Sequence, residues 1–274
     1  MLEASRPLLL IGGGKMGEAL LAGWLAQGVP ADAVLVVEPA APRREALTRA
    51  YGIAAFADAT ALPGGCAPGV LLLAVKPQVM DAALPTCAHL VAADTLVLSI
   101  AAGKPIGLFE RAFGAGSAVV RAMPNTPAAV GRGVTVLCAN AAATPGQRDL
   151  AERLMRAVGE VLWVADEELM HAVTAVSGSG PAYVFLLVEA MAEAGTKAGL
   201  PADMAMQLAR ATVVGSGELL KQSKEPASQL RVNVTSPGGT TAAALQVLMA
   251  SDGIQPVFDK AIAAASHRSK ELAG

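Results

Sequence analysis

LLLIGGGKMGEAL, residues 8–20, joins a four-residue apolar run, three consecutive glycines and a helix-forming segment. Gly12, Gly14 and Gly17 form G-x-G-x-x-G directly after a strand-like run and directly before a helix, and the acidic Glu38 closes the next strand-like run 21 residues beyond Gly17. One glycine permits the tight turn, one lets the backbone approach a pyrophosphate, and one lets helix and strand pack closely. Gly12, Gly13, Gly14, Lys15, Met16 and Gly17 are therefore expected to cradle the phosphates of a dinucleotide at a helix start, where backbone amides lack internal partners. A P-loop would require a Lys and a Ser or Thr after the last glycine; this chain has Glu18 and Ala19 there.

Outward from that loop, apolar runs alternate with helix-forming segments. Leu8–Ile11, Val34–Val37, Val70–Val75, Leu96–Ile100, Val119–Ala122, Val134–Leu137 and Val161–Val164 read as strands, most of them continuously apolar, as in a parallel sheet covered on both faces. Glu18–Gln27, Arg43–Tyr51, Val79–Leu90 and Gln147–Val158 read as helices between them. The repetition predicts a doubly wound α/β sheet over residues 1–166. From 167 to 274 the β-branched runs stop and an all-helical unit is expected, with helices at Pro181 to Gly199, Pro201–Leu220, Pro226–Val232, Thr240–Met249 and Ile254–Leu272. The Pro181 helix, YVFLLVEAMAEAGTKA, is apolar on nearly every face through its first half, so it is expected to lie in an interlocked dimer interface.

The chain has 274 residues, a net charge of −2, 53% apolar and only 16% charged residues. Such a length suits two domains. The charge balance offers no footprint for nucleic acid, and the lean surface suits burial between subunits. Cys66, Cys87 and Cys138 are odd in number and lack C-x-x-C or Cys/His spacing, so neither a disulfide framework nor a metal site is expected, and a reducing cytoplasm fits. The Leu8–Ile11 run is too short for a secretion signal, and Tyr183 to Val188 is far short of the ~20 residues of a membrane span. A soluble protein is expected.

Which nicotinamide cofactor binds is set near Glu38. Its carboxylate would accept a free ribose 2′-hydroxyl and repel a 2′-phosphate, whereas Arg43 and Arg44 could cover a 2′-phosphate or remain solvated on a helix face. Either NADPH or NADH is expected to be accepted. LLLAVKPQ, residues 71–78, ends a strand where ligands of open α/β sheets sit, which places Ala74, Val75, Lys76 and Pro77 at the cofactor, with a plain surface role as the alternative for Lys76. RAMPNTP, residues 121–127, puts Asn125 just past another strand. Its amide could bond the nicotinamide carboxamide or the substrate, or simply serve a turn between strands.

A second small-residue loop, NVTSPGGTT, residues 233–241, runs straight into an alanine-rich helix and leaves Thr235, Ser236, Gly238, Gly239, Thr240 and Thr241 facing an incoming anion. A helix N-terminus contributes about 0.3–2 kcal/mol to an anion, and each charge-assisted hydrogen bond about 1.5–3 kcal/mol. Several donors can thus replace an arginine. Arg231 precedes the loop within a helix and is expected to make a subunit or surface ion pair. Of the three histidines, His89 and His267 fall on surface helices and His171 alone adjoins a candidate segment. Ser177 and Ser179 in SGSGP have no evident His or Asp partner for a hydrolytic triad, so this segment is read as a tight entrance to the Pro181 helix with Ser179 as its cap.

IGGGKMG, AVKPQ, RAMPNTP, TAVSGSGPAYVF and NVTSPGGTT, in that order and spanning nearly the whole chain, resemble pyrroline-5-carboxylate reductase. The resemblance implies a Rossmann domain followed by an all-helical dimerisation domain, and reduction of 1-pyrroline-5-carboxylate to L-proline by NADPH or NADH as the last step of proline synthesis. It also implies homodimers that often assemble as five around a ring, a decamer. Carried onto this chain, it makes Ser236, Gly238, Gly239, Thr240 and Thr241 the substrate loop, with the Thr241 hydroxyl near the ring nitrogen in a catalytic role and Thr240 needed only for its N–H. A protonated cyclic iminium needs a hydride at carbon and no strong protein acid, which suits a chain without paired carboxylates. A β-hydroxyacid dehydrogenase would place a catalytic lysine after the domain boundary, but no lysine occurs between Lys104 and Lys197. A dinucleotide-sensing protein without catalysis would have a degraded substrate loop, and here the loop is intact.

Overall fold

In the computed structural model, which describes residues 6–273, the first glycine turn lies at the centre of a single eight-stranded sheet. The elements follow as β1 (Leu8–Ile11), α1 (Lys15–Ala26), β2 (Val34–Val37), α2 (Ala41–Tyr51), β3 (Ala54–Phe56), β4 (Val70–Leu73), α3 (Met80–Cys87), β5 (Leu96–Ser99), α4 (Ile106–Phe113), β6 (Ala118–Met123), β7 (Gly133–Ala139), α5 (Pro145–Arg156) and β8 (Gly159–Trp163). The strand order is β3-β2-β1-β4-β5-β6-β7-β8. The order reverses direction between β1 and β4, so the turns after these two strands border the crevice where an open α/β sheet binds ligands.

Alternate residues along each strand feed two separate cores. Leu8, Leu10, Val36, Leu72 and Leu98 pack with Leu20, Leu21 and Trp24 of α1, Leu47 of α2 and Leu154 of α5. Leu9, Ile11, Leu71, Leu73 and Val97 pack with Met80 and Leu84 of α3, Ile106 and Phe109 of α4 and Met170. A sheet covered on both faces must be apolar on both, which is why its strands lack alternation.

The sheet is not wholly parallel. β6 and β7 pair antiparallel, with Arg121 opposite Cys138, while every other pair is parallel. The link between them holds only a short 3-10 turn, Thr126–Val130, too little for the crossover a parallel pair requires. The short elements β3 and α4 also stand beside the expected ones.

After β8 come α6 (Leu169–Val173), a π-helical turn (Thr174–Gly178), α7 (Gly180–Lys197), α8 (Ala202–Gln222), α9 (Ala227–Asn233), α10 (Thr240–Leu248) and α11 (Ile254–Ala273). SGSGP is therefore not a tight turn. It continues the helix through a π-turn, and Ser179 is itself in the right-handed helical region and makes no capping hydrogen bond. The continuous helical run Leu169–Lys197 is 29 residues, long and apolar enough by length and composition to cross a membrane, although little of it is buried in one chain.

The chain divides into two compact units. One runs through Gly178 and regains the chain from Ser266; the other is Ser179–Ala265. Within the second, α7 and α8 pack through small residues: Ala192, Ala205 and Ala209 are buried, and a Cβ at Gly195 would lie 3.3 Å from the Ala205 Cβ. Tyr183 and Phe258 meet edge to face at 6.1 Å. Phe185 and Leu186 are 61% and 63% exposed. A single chain leaves this apolar helix uncovered.

Candidate functional site

The glycine turn is shaped by close backbone contacts. Gly12 has φ +103°, and a Cβ there would lie 2.9 Å from the Ala74 carbonyl oxygen; a Cβ on Gly17 would lie 2.3 Å from the Gly12 carbonyl oxygen. Gly14 faces open space and precedes α1 without a side-chain cap. The first helical bond runs from the Glu18 N–H to the Gly14 carbonyl, 2.8 Å. The amides of Lys15, Met16 and Gly17 precede it, so they have no partner within the helix and suit a pyrophosphate. Any side chain at Gly12 or Gly17 would collide with the backbone that shapes the turn, while Gly14 leaves the approach to the free amides open, so these residues fit a dinucleotide.

Glu38 sits beside this turn and holds it. Its Oε2 accepts the Gly13 N–H at 2.9 Å, and its Oε1 accepts the Ala40 N–H at 2.9 Å. Arg43 Nε donates to the Gly13 carbonyl at 2.6 Å and its Nη2 to Glu18 Oε2 at 2.6 Å. Arg44 Nη1 donates to the carbonyls of Glu38 and Pro39 at 2.9 and 2.7 Å. Tyr51 donates its phenol proton to Glu18 Oε1 at 3.2 Å, and burial followed by the Glu18 charge pushes its pKa up, so it remains a donor. Glu18 and Tyr51 escaped the sequence reading, because the pairing depends on how α1 and α2 are placed.

The β4 end completes the first unit's cleft. The Ala74 N–H donates to the Ile11 carbonyl at 2.8 Å, which fixes Ala74 against Gly12. Val75 is half-buried, Lys76 is exposed and makes no ion pair among the described residues, and Pro77 starts a 3-10 turn. Asn125 is already engaged: its Nδ2 donates to the Ser177 carbonyl at 3.1 Å and its Oδ1 accepts the Val134 N–H at 2.9 Å. One Nδ2 proton is left for a ligand.

Two buried polar residues reinforce this side of the sheet. Arg121, only 2% exposed, donates to Glu167 Oε1 at 2.8 Å, and the same oxygen accepts the Ile106 N–H at 2.8 Å. His171 is buried, with Nδ1 3.0 Å from Ser269 Oγ. Burial first, and the Arg121 charge next, lower its pKa. A neutral, hydrogen-bonded histidine in the core is a packing element here.

In the second unit, Ser236 to Gly239 form a turn closed by the Gly239 N–H on the Ser236 carbonyl at 3.0 Å, with Pro237 and Gly238 at its corners and Gly238 at φ +70°. This is a type II turn, whose third position favours glycine. A Cβ on Gly239 would lie 2.5 Å from Ser236 Oγ. The first bond of α10 runs from the Ala243 N–H to the Gly239 carbonyl at 3.2 Å. Thr240, Thr241 and Ala242 therefore carry amides without intrahelical partners. The Thr241 side chain is half-buried, and its hydroxyl makes no hydrogen bond among the described residues. Thr235 is a correction: its N–H donates to the Val232 carbonyl at 2.9 Å and its hydroxyl to the Arg231 carbonyl at 2.6 Å, so it closes α9 rather than facing an anion. Arg231 is exposed and makes no ion pair among the described residues.

Comparison with known proteins gives the same order of parts. A family model described as pyrroline-5-carboxylate reductase dimerisation matches residues 167–272, and one described as NADP oxidoreductase, coenzyme F420-dependent, matches residues 8–103. A pyrroline-5-carboxylate reductase of Synechocystis is 44% identical over 96% of this chain and 97% of its own length. That of Pseudomonas aeruginosa is 41% identical over 97% of this chain and 96% of its own. Among solved structures, a pyrroline-5-carboxylate reductase from Coxiella burnetii superposes with a TM-score of 0.91 at 36% identity, covering 98% of this chain and 99% of that one. A pyrroline carboxylate reductase from Plasmodium falciparum with NADP bound gives a TM-score of 0.82 at 29% identity, covering 98% of each.

Proposed function

The chain belongs to the pyrroline-5-carboxylate reductase family, and from that premise we infer how its residues reduce 1-pyrroline-5-carboxylate to L-proline, the final step of proline biosynthesis. It is an oxidoreductase acting on a C=N bond with NADPH or NADH. The reduced nicotinamide supplies the hydride when bound. Residues 1–166 hold the cofactor: the amides of Lys15, Met16 and Gly17 take the pyrophosphate, Glu38 with Arg43 and Arg44 the adenosine ribose, and Ala74 to Pro77 with Asn125 border the nicotinamide.

Residues 167–274 bind the imine and assemble the protein. The carboxylate of the substrate rests on the Ser236 hydroxyl and the amides at the head of α10, where Gly238 and Gly239 keep the approach open. The Thr241 hydroxyl accepts the iminium N–H and so orients the ring for hydride attack at carbon. With the nitrogen already protonated, hydride addition completes the amine and no side chain has to deliver a proton. The observation that carries this reading is the Ser236–Gly239 turn, which ends on a helix whose first three amides lack intrahelical partners, beside a threonine hydroxyl that makes no hydrogen bond among the described residues.

The protein is a homo-oligomer, as the dimerisation family match indicates. The finer assembly we infer is a homodimer through the helical unit, with five dimers forming a decamer, in a soluble cytoplasmic protein that uses neither nucleic acid nor membrane as a partner. Oxidation of NADPH or NADH on addition of 1-pyrroline-5-carboxylate, followed by absorbance, tests the activity. No oxidation with either cofactor would overturn it.

A further inference from the structure

The corner of the cradle next to Glu38 holds two carboxylates and two guanidiniums, and nearly all of them are committed. Both peptide groups of Gly13 are taken, the N–H by Glu38 and the carbonyl by Arg43. Arg43 is held at its other end by Glu18, in a pair whose side chains are 31% and 34% exposed, and Tyr51 steadies Glu18 from α2. Arg44 rests on two backbone carbonyls. The quartet is electrically neutral before any ligand arrives.

We propose that Glu18 is a positioning residue for cofactor choice: by holding Arg43 against Gly13 and α1 it withholds the guanidinium from a ribose 2′-phosphate, so the protein binds NADH more tightly than NADPH. The proposal rests on the dinucleotide reading of the glycine loop given above. Among the described residues each Glu38 oxygen accepts one backbone N–H, which leaves lone pairs for ribose hydroxyls. A 2′-phosphate at the same place adds negative charge beside that carboxylate and can recruit Arg43 only by drawing it off Glu18 and Gly13. A charge-assisted bond of 2.6 Å in a half-buried setting is strong, so recruitment lowers affinity by about tenfold. NADPH is accepted, but less tightly.

Dissociation constants for NADH and NADPH, read from nicotinamide fluorescence with the intact protein, test this without turnover. The wild type is expected to favour NADH by about tenfold. Glu18→Gln should tighten NADPH and leave NADH within about twofold, moving the ratio by about tenfold, and adding Arg43→Gln should erase the gain. A general loss of structure would move both constants together and leave their ratio alone. Tyr51→Phe, outside the loop, removes the second hold on Glu18 and should move the ratio the same way by about threefold. A wild type that binds NADPH as tightly as NADH, or a ratio unmoved by Glu18→Gln and Tyr51→Phe while both variants keep their NADH affinity, overturns the proposal alone. Binding of neither cofactor by the folded wild type overturns the dinucleotide reading as well.

Discussion

Asn125 and Ser177, distant in sequence, are joined by a 3.1 Å hydrogen bond from the asparagine amide to the serine carbonyl. Ser177 lies in the π-turn, where the wider helical spacing leaves carbonyls off the usual ladder and open to side-chain donors. The other end of the Asn125 amide accepts the Val134 N–H. One side chain thereby ties the end of β6, the start of β7 and the π-turn together. Gly178 fits the same contact, since a Cβ there would lie 2.4 Å from Met123 Cε.

Asn125→Ala leaves a backbone donor and acceptor without partners and should lower the unfolding free energy by about 1–3 kcal/mol in urea titration. Asn125→Asp retains the acceptor for Val134 but sets a carboxylate oxygen, which can only accept, against the Ser177 carbonyl, so it too should be destabilised. An Asn125→Asp variant as stable as the wild type would mean that the bond to Ser177 contributes nothing.

His171 gives a pH dependence with a definite sign. Its folded pKa lies below the ordinary 6.5, because burial and then Arg121 disfavour the imidazolium. The unfolded chain therefore takes up this proton more readily, and stability falls as pH drops below about 6.5 toward the folded pKa. His171→Asn keeps a polar atom near Ser269 but cannot titrate. Its unfolding free energy should change less between pH 7 and pH 5 than that of the wild type, and an identical slope would remove His171 from the effect.

Much of this was legible in the sequence. Seven of the eight strands and the helices that flank the glycine loop follow from continuous apolar runs and helical spacing, because a sheet buried on both faces leaves few other patterns. β3 has three residues, too short to stand out. The direction of β7 depends on the link that precedes it and not on the periodicity of the strand itself. Thr235 was misread because hydroxyls beside glycines suit an anion and a helix end equally well. The Glu18–Arg43 and Arg121–Glu167 pairs join residues far apart in sequence, and no local spacing marks them.

The substrate carboxylate offers a test between a backbone cup and an arginine. Ser236→Ala should raise the KM for the imine by about tenfold, the value of one charge-assisted hydrogen bond. Arg231→Ala keeps the carbonyl that accepts the Thr235 hydroxyl and should leave KM within about twofold. A larger rise for Arg231→Ala would transfer the carboxylate to that side chain.

Thr241→Val keeps the shape of the side chain and removes its hydroxyl. Turnover should fall by about 10- to 100-fold, since the lost bond is to a charged nitrogen. The dissociation constants for NADH and NADPH should not move, because Thr241 belongs to the helical unit and not to the cradle. Unchanged turnover would exclude the hydroxyl from the reaction.

Assembly and activity should fail together. Phe185 and Leu186 stand more than half exposed on α7, beside Val184 and Leu187 at 45% and 46%. Covering one such side chain contributes about 1.5–3 kcal/mol, and a symmetric dimer counts each twice. Leu186→Glu would bury an unpaired carboxylate in both copies, whereas within one chain the position is already solvated. Light scattering should therefore report a smaller particle with unchanged helical content, and imine reduction should be lost with it. Retained activity in the smaller particle would show that the Ser236–Thr241 loop keeps its shape without a partner.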